Sequence, residues 1–173
     1  MKYNEDPRNS NSGFTLIELL LVIIFMGAIA AISVNTFNTY TRYQKFSQVV
    51  IDFVNTLNTA KARAYAQVKP NDISACDSSS TLYGYSVDYK STKFDLDVNC
   101  SGAPGPKKIS TVDLTNTPIK IKRASTPPGS PNGNILFHVL NGAVTGDLNV
   151  VIYDSYGNSK NVTVSSAGVI NVQ

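Results

Sequence analysis

The sequence predicts an α+β fold in which a long N-terminal helix, hydrophobic at first and amphipathic later, packs on an antiparallel β-sheet. Three observations predict it. No proline interrupts residues 14–68. Tyr43, Phe46, Val50, Phe53, Leu57, Ala60 and Ala64 recur at alternating spacings of three and four, which makes one apolar stripe on a helix. Beyond Pro70 the apolar residues alternate instead, the period of strands.

Residues 1–13 are polar, contain Pro7, and balance Lys2 and Arg8 against Glu5 and Asp6. Without an apolar face they are expected to be disordered. Residues 14–34 read FTLIELLLVIIFMGAIAAISV, 21 residues with a single charge, Glu18. At about 1.5 Å per residue this run matches the ~30 Å apolar layer of a bilayer, so a transmembrane helix is expected over 14–34. A buried core helix rarely runs this long without polar breaks. A secretory signal peptide has a shorter apolar run followed by a small-x-small cleavage site. Residues 35–69 are expected to continue the helix in amphipathic form. Arg42, Lys45, Gln48, Asp52, Asn55 and Lys61 fall between the stripe positions, and Pro70 supplies the stop. Small Ala60 and Ala64 suit close packing on a sheet better than a coiled-coil seam.

Residues 70–173 are expected to form a β-rich domain. Residues 82–89 and 93–98 read as a hairpin, followed by strands at 119–123, 135–139, 148–153, 160–164 and 169–172. Asn141-Gly142, Tyr156-Gly157-Asn158 and Ala167-Gly168 mark turns. Residues 101–106 and 125–134, rich in Gly, Pro and Ser, read as loops. Cys76 and Cys100 bracket the first hairpin. In an exported domain they are expected to form a disulfide closing a loop of about 23 residues, worth about 3 kcal/mol. In a cytosolic domain they would be two reduced thiols, and the anchor argues against that.

A chain of 173 residues suffices for one domain with a core, and a net charge of +3 is too mild to imply a nucleic-acid partner by itself. His138 is the only histidine, so there is no HExxH and no His-rich metal set, and the cysteines make no CxxC. No catalytic residue, metal or cofactor is expected, and the chain does not read as an enzyme. His138, in an alternating strand, reads as structural. Asp95 and Asp97 share a strand face, a pair suited to acid/base work or calcium. Without a DxDxDG loop, a solvated face is expected.

The run Gly13-Phe-Thr-Leu-Ile-Glu-Leu-Leu-Leu-Val22 closely resembles the N-terminal signal of type IV pilins and type II secretion pseudopilins. The resemblance is strong over residues 13 to about 40. The Ala-rich run at 60–66 and the closing strand–Gly–strand pattern look like minor pseudopilins of the GspH/FimT type. Two departures stand out. The leader ends in Ser12-Gly13 rather than Lys-Gly or Arg-Gly, and Asn35 stands where many major pilins have a helix-kinking proline. The second favours a minor subunit.

The resemblance implies cleavage by prepilin peptidase between Gly13 and Phe14, and N-methylation of Phe14. It implies a single-pass inner-membrane protein with its C-terminal domain exported (periplasmic if the cell has an outer membrane). It also implies assembly with other pilin or pseudopilin subunits into a pseudopilus or pilus. Glu18 is then expected to pair with the cationic terminus of a Phe14, since a lone carboxylate in a membrane helix costs about 2.5–3.5 kcal/mol on insertion scales. Two alternatives are a DNA-binding minor pilin of natural competence, through Lys107, Lys108, Lys120, Lys122 and Arg123, and a membrane-anchored exported enzyme. Lys120 and Lys122 alternate with Ile119 and Ile121 and read as the outward face of an amphipathic strand.

Overall fold

A computed structural model describes residues 13–70, 76, 79–102, 105–124, 131–140 and 142–173, with the backbone alone for 31–36. Apart from Gly13, the expected leader lies outside the described residues, as does Asn141 of one expected turn. One helix, α1 (Leu16–Tyr65), precedes nine strands. These are β1 (Leu82–Lys90), β2 (Lys93–Cys100), β3 (Lys107–Asp113), β4 (Ile119–Arg123), β5 (Gly133–His138), β6 (Val144–Gly146), β7 (Asn149–Asp154), β8 (Ser159–Val164) and β9 (Ile170–Val172). The chain divides into two compact units, Met1–Arg42 and Tyr43–Gln173.

In the first unit Thr15 caps α1. The Glu18 N–H donates to the Thr15 carbonyl at 3.1 Å and meets its Oγ1 at 3.3 Å. This satisfies a backbone donor that has no partner inside the helix. Among the described residues, no helix is long and apolar enough to cross a membrane. The transmembrane helix expected over 14–34 is therefore corrected, and with it the single-pass inner-membrane localisation. The exposed run from Leu16 to Ala30 also carries Glu18, a carboxylate that an apolar layer penalises.

In the second unit α1 buries Phe46, Val50, Phe53, Leu57, Ala60 and Ala64, whereas Tyr43, expected at the head of the stripe, is exposed. The helix closes itself before Pro70. Gln67 takes a left-handed φ of 52°. The Val68 N–H then reaches the Arg63 carbonyl and the Gln67 N–H the Ala64 carbonyl, each at 3.2 Å. These are the two bonds of a Schellman cap.

The strands form two antiparallel sheets, in the orders β3-β2-β1-β5-β6 and β4-β7-β8-β9. The expected fold, a long helix packed on one antiparallel sheet, is thereby corrected. The domain is mostly sheet, its strands are split between two sheets, and only the stripe from Phe46 to Ala64 is buried. The split originates after β3. Thr115 turns back on Asp113 through N–H and hydroxyl, and Thr117 N–H bonds the Leu114 carbonyl at 2.9 Å. Pro118, which lacks an N–H, follows, and β4 then pairs with β7. Strands β3 and β6 were not expected, and β5 begins inside the stretch expected as loop.

Directly opposed residues share a face of the larger sheet. Tyr85 meets Val98 and Phe137, Val87 meets Leu96 and Ile135, and Tyr89 meets Phe94. The Phe53 ring stands edge-on to Phe94 at 5.2 Å and to Tyr89 at 6.3 Å. Ile121, Val150, Ile152 and Val162 of the smaller sheet join the same buried cluster. Alternation sends Ser86, Asp88, Asp95, Asp97 and Asn134 to the other face. Cys76 and Cys100 form a disulfide with Cα atoms 5.6 Å apart and a sequence separation of 24, worth about 3 kcal/mol in the chain-entropy account.

Candidate functional site

Two places gather the residues with chemistry. The first is the start of α1. Gly13 and Phe14 are exposed there, Phe14 to 80%. Glu18 lies in the first helical turn, where a carboxylate complements the positive end of the helix dipole. It makes no ion pair among the described residues. From Leu16 to Ala30 every side chain is exposed. Successive positions lie about 100° apart, so the apolar surface runs around the whole helix.

The second place is the polar face of the larger sheet. Asp95 and Asp97 are buried there, 6% and 7% exposed, so the solvated face expected for them is corrected. The β2–β3 and β1–β5 pairings bring their neighbours: Thr111 opposite Asp95, Lys108 opposite Asp97, and Asn134 opposite Asp88. Asp95 accepts from the Thr111 hydroxyl at 2.6 Å and pairs with Lys108 Nζ at 2.9 Å. Burial alone would raise its pKa, but these hydrogen bonds and the charges of Lys108 and Lys93 outweigh it and hold the carboxyl below its ordinary value. Asp97 has no such cation at hydrogen-bond distance and shares its proton with the Asp88 carboxyl instead. Burial first, then the Asp88 and Asp95 carboxyls, push it up to about 7, against the pull of Lys108.

Beside these groups Asp147 ties β4 to β1. Arg123 Nη2 pairs with its Oδ1 at 2.6 Å, and the Tyr89 hydroxyl donates to its Oδ2 at 3.0 Å. Burial and the Asp147 charge both push the Tyr89 phenol up, keeping it a donor. A Cβ at Gly133 would strike the Tyr89 hydroxyl and the Asp147 carboxylate, so a side chain there would have to displace this network.

The basic residues weighed for DNA are divided. Lys107 and Lys108 lie on β3, at an edge of the larger sheet, while Lys120, Lys122 and Arg123 lie on β4, at an edge of the smaller. Lys108 and Arg123 are held by Asp95 and Asp147, and Lys122 sits 4.7 Å over the Tyr153 ring. His138 stacks edge-on to Tyr83 at 5.0 Å, and its Nε2 lies 3.0 Å from the Thr145 hydroxyl. Asp88, Asp147, Tyr89 and Asn134 were not singled out in the sequence. The only signal was Asp88's place on the alternate face of β1, and its meaning depends on pairing that the sequence does not display. No family model, curated protein or solved structure matches this chain.

Proposed function

We propose that the chain is a pilin-like filament subunit, of the minor pseudopilin kind, cut by prepilin peptidase between Gly13 and Phe14 and assembled with other such subunits into a pseudopilus or pilus. The observation that carries this reading is the start of α1, a helix that exposes apolar side chains on all sides and carries a single carboxylate in its first turn. A helix apolar all round is stable only when covered. A bundle of like helices supplies that cover, and the charge at one fixed depth supplies register. Cleavage exposes a cationic terminus on Phe14. When one subunit's terminus meets a neighbour's Glu18 within the apolar bundle, the pair attracts strongly, and a one-residue slip leaves both charges unpaired.

Intact mass is the first test, with a mature chain beginning at N-methyl-Phe14 as the expected result. Replacing Gly13 with a bulky residue is expected to leave the precursor uncut. A mature mass matching a cut near Ala30 or Ala31 would overturn the reading. Glu18→Ala and Glu18→Gln are expected to be processed normally but to lose crosslinking to other subunits. Normal incorporation of both would show that assembly does not use the charge.

A further inference from the structure

The polar face of the larger sheet borders a cavity of about 510 Å³. Four carboxylates line it: Asp88, Asp95, Asp97 and Asp147. Two are matched by cations, Asp95 by Lys108 and Asp147 by Arg123. Asp88 and Asp97 make no ion pair among the described residues. Asp88 accepts a hydrogen bond from the Asn134 amide. Asp97 is more than nine-tenths buried, and its Oδ1 is a buried acceptor without a partner. Leaving a buried carboxylate oxygen unpaired is costly, so a site of this kind calls for a proton or a cation.

We propose that this cavity binds a primary ammonium group of a small organic amine, held between the carboxylates of Asp88 and Asp97. An ammonium offers three donors, which two carboxylates and one further acceptor satisfy. The described residues hold no group of three acidic, histidine or cysteine side chains placed for a metal ion. The volume is far more than one ion or water fills, and it falls within the ~300–1,000 Å³ of small-molecule sites. The chemistry balances without a further reactant. In the empty site Asp97 holds a proton against Asp88. On binding, that proton leaves to solvent and the ammonium takes its place.

The charged groups around Asp97 are Asp88 and Lys90 on β1, Lys93 and Asp95 on β2, Lys108 on β3, Arg123 on β4, and Asp147 after β6. Lys108 and Arg123, raised by their carboxylate partners, remain charged through neutrality, and Asp95, held low, remains ionised. The proton exchanged is therefore that of the Asp88–Asp97 pair.

The test is calorimetric titration of 1,5-diaminopentane into the full chain at physiological salt, at pH about 8 and about 5.5, in two buffers of different ionisation enthalpy. Saturable binding at the higher pH is expected, and about thirtyfold weaker binding at the lower, because a proton held with a pKa of about 7 competes there. Buffer dependence should report close to one proton released per amine at the lower pH. Asp97→Asn and Asp88→Asn are each expected to weaken binding at least about tenfold. Asn at either position mimics a protonated carboxyl, and circular dichroism checks that each variant is folded. Asp154→Asn, at a β7 carboxylate that accepts from Asn158 in the turn after the strand, should leave amine binding unchanged. The proposal is overturned by any of three results: no saturable binding at the higher pH, binding indifferent to both pH and the two cavity variants, or calcium that binds there more tightly than the amine.

Discussion

On β2, Phe94, Leu96 and Val98 point to one side of the larger sheet and Asp95 and Asp97 to the other, and all five are more than nine-tenths buried. The apolar side is covered by Phe53 and its neighbours on α1, where removal from water is itself the stabilising term. The polar side gains nothing from burial as such. Each of its groups must find a partner, and Asp95 has Thr111 and Lys108 while Asp97 Oδ1 has none. Equal burial thus conceals unequal satisfaction, and it is the less satisfied side that borders a cavity.

The largest effect is expected on the apolar side. Phe53→Ala removes a ring that touches both Tyr89 and Phe94, and a loss of about 3–5 kcal/mol in denaturant unfolding is expected. A loss below about 1 kcal/mol would mean that α1 is not what covers this face. Gly133→Ala probes the seam between the faces. Its methyl would meet Tyr89 and Asp147, and about 1–3 kcal/mol of overpacking cost is expected, with the Tyr89–Asp147 contact displaced. An unchanged unfolding midpoint would show that the seam yields freely.

The smallest effect concerns the sign of a slope. A carboxyl whose folded-state pKa lies above its ordinary 3.8, as that of Asp97 does at about 7, favours the folded state most at low pH. Stability then falls as pH rises through that window and levels off above it. Asp97→Asn should remove this decline between pH about 4 and 7. A decline of equal size in the variant would place its source elsewhere. Below that window the opposite slope is expected, because Asp95 and Asp154 are held down by their hydrogen bonds and lose that stabilisation as they protonate.

The apolar side was largely legible in the sequence. The spacing of Phe46, Val50, Phe53, Leu57, Ala60 and Ala64 names the buried face of a helix, and Phe94, Leu96 and Val98 name that of a strand. The polar side was not. Asp95 and Asp97 look like any solvated strand face until Thr111, Lys108 and Asn134 arrive from strands up to dozens of residues away. Of those strands, β3 went unread because Lys107, Lys108, Ser110 and Thr111 give it little apolar alternation, and β6 because it is three residues long. Alternation identifies a strand but not its partner, so the division into two sheets was out of reach. At the N-terminus the apolar run was legible as composition, whereas its expected role as a membrane span was not upheld.

The sheet margins bear on solubility at high local concentration. An exposed edge offers free N–H and C=O groups to any strand that approaches, which is how sheet proteins begin to aggregate. Here each margin is blunted. Strands β6 and β9 are three residues each, too short to template much pairing. On β4 the Ile121 N–H is already spent on the Ser91 carbonyl at 3.0 Å. The remaining margin, β3, carries Lys107 and Lys108 side by side, so two copies meeting there bring like charges together. Chains crowded against one another can therefore keep their sheets separate.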